Sequence, residues 1–268
     1  MHGRMMFQPL LISSLLKHAE TYHSDTAIIS KNTNGTITQT NWGNISANAK
    51  RGAQALADLK LGHADCVATL AWNNHRHLES WYAISGSGLI CHTINPRLFP
   101  EQLIFIINDA KDKAILFDKT FLPLIGAIKA HIPLVENYIC LDGYDEEVAQ
   151  ALPEVKFYDD LIQDYATDYE WPEFDETTAS SLCYTSGTTG NPKGALYTHR
   201  STVLHSFAAS LPDSMNLSAK DIILPVVPMF HVQAWGTPYA AAMVGASMIL
   251  PGPGLDGDSL VQLIDEYH

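Results

Sequence analysis

No run of apolar residues in this 268-residue sequence reaches the ~18 positions of a membrane-crossing helix, and Met1-His2-Gly3-Arg4 lacks the charged-then-apolar order of a secretion signal. A membrane span is therefore not expected, and the cytoplasm is the expected compartment. Cysteine is scarce. The four present, Cys66, Cys91, Cys140 and Cys183, sit in apolar, strand-like contexts without CxxC spacing, so they read as reduced core residues and not as a disulfide or zinc framework. His75 and His77 are two positions apart and diverge on a helix, which argues against a metal pair. Basic residues are few, 16 against 29 acidic ones, and form no stripe, so nucleic acid is excluded as an expected partner. Disorder is excluded as well, because 46% of the residues are hydrophobic and 17% charged, a globular balance.

The excess negative charge is local. Thirteen acidic residues face Lys156 alone between Asp142 and Glu176, which reads as a solvated acidic connector with some packed helix, dividing 1–141 from 177–268. Before it, Asn34-Gly35 between two β-rich stretches signals a hairpin. Apolar positions Trp42, Ile45, Ala49, Ala53, Leu56 and Leu59 then mark an amphipathic helix. Short apolar runs at 66–71, 91–94, 114–117 and 138–141 alternate with helical stretches at 75–86, 100–111 and 119–130. Strands separated by such helices predict an α/β architecture of mostly parallel sheet flanked by helices. Past the connector the pattern predicts strands at 181–184 and 195–198 around a loop, a helix over 201–210, a strand over 222–227, a helix over 232–244 and a strand over 246–250. The stretch 259–268 carries a helical apolar stripe that runs to the last residue, from which the chain is expected to be part of a longer one.

The loop between the strands at 181–184 and 195–198 is Thr185-Ser-Gly-Thr-Thr-Gly-Asn-Pro-Lys-Gly194. Glycines let successive backbone N–H groups converge on an anion, hydroxyls add neutral donors, and Lys193 adds a mobile positive charge. No carboxylate occurs from Thr177 to Pro212, so the local field favours an anion. The spacing differs from that of a Walker A loop. A plain Gly/Ser/Thr hairpin would share this composition, but not this order of residues.

With its flanks, Tyr184 to Gly194 followed by Tyr197-Thr-His-Arg200, the loop resembles the signature of the adenylate-forming enzymes. These comprise acyl- and aryl-CoA synthetases, luciferases and peptide-synthetase adenylation domains. Gly88-Leu-Ile-Cys-His-Thr-Ile-Asn-Pro-Arg-Leu98 is similar to a second family segment and Pro228-Met-Phe-His-Val-Gln-Ala-Trp-Gly236 to a third. The last resembles the medium-chain acyl-CoA synthetase branch, which includes ligases for 3-(methylthio)propionate. The resemblance spans the chain but only the first half of the family's usual length. It implies the N-terminal portion of the large adenylation domain, truncated before the small C-terminal domain. The implied activity is ATP-dependent acid–CoA ligation through an acyl-adenylate, with ATP and CoA as substrates, Mg²⁺ as cofactor and a short or medium aliphatic acid as the third substrate. A homodimer is compatible with it.

By motif position, Thr185, Ser186, Gly187, Thr188, Thr189, Gly190 and Lys193 would bind the nucleotide's phosphates, with Thr185 also beside Mg²⁺. His231 would be the catalytic group between the α-phosphate and the carboxylate. Trp235, four residues on and hence on the same helical face, would wall the acyl pocket. Outside the resemblance His231 also reads as a core or capping histidine and Trp235 as core packing. Asn95, Pro96 and Arg97 read as a structural turn, and His199 and Arg200 as caps or loop anchors. The family's later pieces, an acidic metal ligand, a ribose-binding aspartate, a hinge and a late lysine, are absent from these residues. The alternative expectation is therefore a non-catalytic nucleotide-binding or assembly module.

Overall fold

The computed structural model describes residues 4–185 and 191–267. In chain order the elements are α1 (Ile12–Tyr22), β1 (Ala27–Lys31), β2 (Ile37–Asn41), α2 (Trp42–Asp58), β3 (Cys66–Leu70), α3 (His75–Gly86), β4 (Ile90–Thr93), α4 (Pro100–Ala110), β5 (Ala114–Phe117), α5 (Leu122–Ile128) and β6 (Asn137–Cys140). They continue with α6 (Glu146–Ala151), β7 (Lys156–Phe157), α7 (Tyr158–Ile162), β8 (Ala179–Thr185), β9 (Lys193–Thr198), α8 (His199–Ser210), β10 (Ile222–Ile223), α9 (Thr237–Val244), β11 (Ser247–Leu250) and α10 (Gly257–Tyr267).

Among the described residues seven strands form one sheet in the order β7-β6-β5-β3-β4-β8-β9, parallel except for the edge strand β9. Four form a second, in the order β10-β11-β1-β2, parallel except for β2. The parallel strands β4, β5 and β6 are buried at every position, as strands covered on both faces must be.

Strand alternation assigns the layers. Val67, Cys91, Leu116 and Ile139 face a core shared with α1, α2, α3 and α9 and with Ile28 and Met248 of the small sheet. Ala68, Leu70, Ile115, Phe117 and Cys140 face the opposite core under α4 and α5. A third, smaller cluster puts Leu263 of α10 on Ile29 and Ile249. The order is thus helix, large sheet, helices, small sheet, helix. The Trp42 indole, fully buried, donates to the Ala246 carbonyl at 2.9 Å and ties the helical layer to the small sheet.

Local chemistry sets the element ends. Gly35 turns the β1–β2 hairpin at φ +83°, a conformation open to glycine without cost. Asn41 and Asn74 cap α2 and α3 through their side-chain oxygens. Three expectations change. The strand foreseen over 222–227 is confined to Ile222–Ile223, because Pro225 and Pro228 have no N–H to donate to a ladder. The helix foreseen over 119–130 is α5 between two 3₁₀ turns. The helix foreseen over 232–244 begins only at Thr237, after a left-handed turn.

The acidic stretch 142–176 supplies α6, β7 and α7, with Val148, Phe157 and Tyr158 buried, so much of it is folded into the large sheet's edge. Its Trp171 ring lies over Gly86, where an added Cβ would come within 2.6 Å of the indole. Gly86→Ala is therefore expected to displace Trp171 and cost about 1–3 kcal/mol, read as a lower melting temperature with changed near-ultraviolet dichroism. An unchanged melt would show that the indole seat is not tight.

Candidate functional site

The parallel strands of the large sheet share one carboxyl edge, and the candidate residues gather there. Connections leave β5 and β3 in opposite directions, since β5 runs on to β6 and β3 to β4 on its other side. Such a divergence opens a crevice at the strand ends. It is filled by Trp72, which packs on Phe121 at 5.1 Å and on Phe230 at 6.1 Å between ring centroids. Asp118 lines its floor, accepting from the Trp72 N–H at 2.7 Å and from the Asn74 carboxamide at 3.0 and 3.1 Å. Burial pushes this carboxyl up to about 7, although those donors favour the ionised form.

Asn73 is buried at the same strand end. Its amide nitrogen donates to the Pro225 carbonyl at 2.9 Å and the Val227 carbonyl at 3.2 Å, and its oxygen accepts from the Met229 N–H at 2.6 Å. The segment leading to His231 is thereby held against β3. His231 itself is exposed.

Residues 232–235 differ from expectation. Val232, Gln233, Ala234 and Trp235 have φ of +46°, +52°, +48° and +56°, a left-handed turn, so His231 and Trp235 do not share the face of a right-handed helix. The turn is held by the His205 Nε2–H donating to the Trp235 carbonyl at 3.0 Å and by the Gln233 carboxamide donating to the Ser181 hydroxyl. Gly236, at φ +71°, lies under the His205 ring, where a Cβ would come within 2.7 Å. The sequence carried a signal for this stop: Gly236 followed by Pro238 marks a helix beginning at Thr237.

Trp235 lines an apolar pocket of about 460 Å³ with Tyr197, Thr202, His205, Met215 and Val232. His231 is not among the lining residues. The structure thus brings Trp235 to the helix that follows the loop and leaves His231 at the end of the Asn73-held segment.

The hairpin supports the loop. β8 and β9 pair Thr185 with Lys193 and Tyr184 with Gly194. The Thr185 hydroxyl donates to the Lys193 carbonyl at 3.4 Å, a weak bond that leaves its lone pairs open. Both residues are exposed, and Lys193 makes no ion pair among the described residues. Ser186, Gly187, Thr188, Thr189 and Gly190 lie outside the described residues. Below the loop Tyr184 donates to Asp109 at 2.7 Å, and its ring is 5.1 Å from that of His92. His92 in turn meets Asp112 at 2.7 Å with both side chains fully buried. Burial raises the Asp112 carboxyl from its usual range against the pull of His92.

The remaining candidates are structural. Asn95 accepts from the Arg97 N–H at 3.0 Å within a turn. His199 is buried and accepts from the Ile12 N–H at 3.1 Å, anchoring α1, and Arg200 pairs with Glu176. His77 donates through Nδ1 to the Trp72 carbonyl and accepts at Nε2 from Trp81. Burial holds it down to about 4, a neutral packing residue. Among the described residues no group of three or more His, Cys, Asp or Glu could hold a metal, and no helix is long and apolar enough to cross a membrane. The four cysteines are free.

Asn73, His205 and Gln233 escaped sequence reasoning. Asn73 follows a strand in the run Trp72-Asn-Asn-His75, a polar strand end that could have flagged it, whereas nothing local distinguishes His205 or Gln233. Asn73→Ala would strip hydrogen bonds from two carbonyls and an N–H, at about 1–3 kcal/mol for each group left buried. Expected is faster amide exchange over 225–231 with the hairpin's exchange unchanged; uniform acceleration throughout the chain would deny it a local role.

Comparison with known proteins follows the same lines. Residues 15–268 match the model of the AMP-binding enzyme family. The sequence is 59% identical over 267 residues to a 3-methylmercaptopropionyl-CoA ligase of Ruegeria lacuscaerulensis, covering 100% of this chain and 50% of that protein. It is 53% identical to a medium-chain-fatty-acid–CoA ligase of Ectopseudomonas oleovorans, covering 98% of this chain and 48% of that one. The chain therefore spans about half the length of these relatives. Among solved structures, the inhibitor-bound N-terminal domain of FACL13 from Mycobacterium tuberculosis superposes with a TM-score of 0.79 at 26% identity, over 96% of this chain and 60% of that one. The anthranilate CoA ligase AuaEII bound to anthranoyl-AMP shares the fold, with a TM-score of 0.84 at 24% identity over 97% of this chain and 49% of that one.

Proposed function

Because the chain belongs to the AMP-binding enzyme family, we propose that it serves an acid–CoA ligase acting on a short or medium aliphatic acid, with 3-(methylthio)propionate the leading candidate. The observation that carries this is the hairpin that pairs Thr185 with Lys193 in a chain 59% identical to a 3-methylmercaptopropionyl-CoA ligase. That relatives across this range of identity are named ligases favours an enzyme over a bare nucleotide-binding module.

In the proposed reaction a carboxylate oxygen attacks the α-phosphorus of ATP and pyrophosphate leaves. The CoA thiol then attacks the acyl carbonyl, losing its proton, and AMP leaves. Both steps bring anions together, so the site must supply positive charge and fixed alignment. Lys193, unpaired among the described residues, would meet the β- and γ-phosphates beside the loop 186–190. Thr185, with its lone pairs open, fits as one ligand of a Mg²⁺ that keeps several waters, and the ion would supply charge neutralisation of the triphosphate. His231 would donate to the oxyanion on the reacting carboxylate. Trp235 would wall the acyl pocket, whose apolar lining suits an aliphatic tail. A cytoplasmic location accords with these substrates.

The test is a chimera in which this chain replaces the matching half of the Ruegeria lacuscaerulensis ligase, assayed for acyl-CoA formation across short and medium acids. Activity on none of them would overturn the reading. In the active chimera Lys193→Ala is expected to raise the KM for ATP about tenfold, the loss of one charge-assisted hydrogen bond, while leaving the KM for the acid unchanged. Trp235→Ala is expected to shift preference toward bulkier acids, by about 1–3 kcal/mol per added methylene accommodated. An unaltered chain-length profile would put that indole outside the acyl site.

A further inference from the structure

Burying the His92–Asp112 pair is costly. His92 of β4 and Asp112 are both fully enclosed, and the His92 Nδ1–H donates to Asp112 Oδ2 at 2.7 Å. The other polar atom of each group, His92 Nε2 and Asp112 Oδ1, is buried with no hydrogen-bond partner among the described residues. Such atoms lose their hydration without compensation, and an apolar pair of similar volume in the same place is often as stable or more so. Stability therefore does not account for the pair.

What it touches is Tyr184. His92 and Leu182 are register partners across β4 and β8, so Tyr184, two positions on, shares the face of His92, and the two rings lie 5.1 Å apart between centroids. Across the β8–β9 ladder Tyr184 stands opposite Gly194. A Cβ on that glycine would come within 3.3 Å of the phenol ring and 3.0 Å of Leu182, so its bare backbone leaves the ring a seat. The phenol hydroxyl donates to Asp109 at 2.7 Å. Asp109 and Asp112 flank the end of α4, where Lys111 closes the helix at φ +56° and the Asp112 N–H bonds the Ile107 carbonyl at 3.1 Å. Acids at a helix C-terminus gain nothing from its dipole. One helix end thus commits two acids to unfavourable places, one to the histidine beside the ring and one to the ring's own hydroxyl.

We propose that His92, fixed by Asp112, is a positioning residue: it orients the Tyr184 ring, and the ring holds the mouth of the hairpin, where Thr185 and Lys193 are the next pair of the ladder. The inference rests on the reading above that those two side chains meet the nucleotide. Alignment matters there, since a misplacement of about 1 Å caused by a remote residue can cost on the order of a hundredfold in rate.

The test sets stability against function with two variants, each made in the chain alone and in the chimera described above. His92→Leu with Asp112→Leu replaces the pair by apolar side chains, and its melting temperature is expected to be unchanged or higher. Amide exchange is expected to be about tenfold faster at 184–185 and 193–194 but unchanged in β3, β5 and β6. In the chimera the KM for ATP is expected to rise about three- to tenfold with the KM for the acid unchanged. Asp112→Asn keeps an oxygen for the His92 N–H but puts an N–H2 where Asp112 Oδ1 has no partner. It is expected to do the opposite, lowering the melting temperature while exchange at the hairpin mouth and the KM for ATP stay within about twofold of the parent. A merely structural pair would make exchange and KM follow the melting temperature in both variants, and that outcome overturns the proposal. So does unchanged exchange at the mouth in the doubly substituted chain, or faster exchange there with an unaltered KM for ATP in an active chimera. Exchange is read in the chain alone and needs no catalysis. Faster exchange, with a chimera inactive before any substitution, would refute the ligase reading and sustain the positioning. Should the double substitution fail to fold, Tyr184→Leu, which leaves the buried pair in place, is expected to loosen the same four residues, and unchanged exchange there would overturn the proposal.

Discussion

One carboxamide, that of Asn73, joins the two sheets at the place where the site is built. It stands at the carboxyl end of β3, takes the carbonyls of Pro225 and Val227 as the chain leaves β10, and binds the Met229 N–H. The Asn73 backbone carbonyl accepts from the Gly252 N–H at 2.8 Å as the chain leaves β11. Only a side chain with donors and an acceptor can make the bonds to Pro225, Val227 and Met229. An aspartate would offer no N–H to the two carbonyls, and Pro225 and Pro228, both beyond the end of β10, remove donors from the backbone there. Phe230, packed on Trp72, completes the attachment with apolar contact. The placement of His231 and Trp235 relative to the hairpin follows from this clamp.

A second constraint acts just beyond it. Four non-glycine residues in left-handed conformation cost of order 1–2 kcal/mol each. Such a turn persists where its surroundings over-determine it. Here the His205 and Gln233 side chains reach it from α8 and toward β8, and the Ala234 N–H bonds the His231 carbonyl at 3.0 Å. The helix after the hairpin and the hairpin's own strand thus both bear on the turn that carries Trp235. The β8–β9 hairpin and the apolar pocket beside Trp235 are mechanically linked through β8, β9 and α8.

The alternation of short apolar runs with helical stretches was enough to read a mostly parallel α/β sheet, because strands buried on both faces leave a continuous apolar signal. The Asn34-Gly35 hairpin and the helix over 100–111 were legible through local conformational preference with no tertiary competitor. The turn at 232–235 was not legible, because Val232, Gln233, Ala234 and Trp235 have no intrinsic liking for positive φ and are forced there by partners 30 and 52 residues away in sequence. Asn73 was hidden similarly, its partners lying more than 150 residues on. Residue order in the 185–194 loop pointed to an anion site, while the strut beneath it, from Tyr184 to Asp109 and from His92 to Asp112, depends on α4 returning across the sheet.

The chemistry of the apolar pocket follows from where its donors are spent. The Ser201 and Thr202 hydroxyls both donate to the Thr198 carbonyl, at 2.9 and 3.1 Å, the His205 N–H goes to the Trp235 carbonyl and the Gln233 amide to Ser181. Among the described residues the Tyr197 hydroxyl and the Trp235 indole N–H are the lining side-chain donors left without an acceptor. With most of its donors spent and an apolar lining, the cavity places little hydrogen-bonding demand on what enters it. In the proposed acyl site discrimination would then rest on volume and shape, which yield only about 1–3 kcal/mol per methylene, with the fit around the Trp235 indole setting the limit. Fixing that indole by its backbone, through a turn that side chains from two elements hold, is what gives a wall of this kind a defined position.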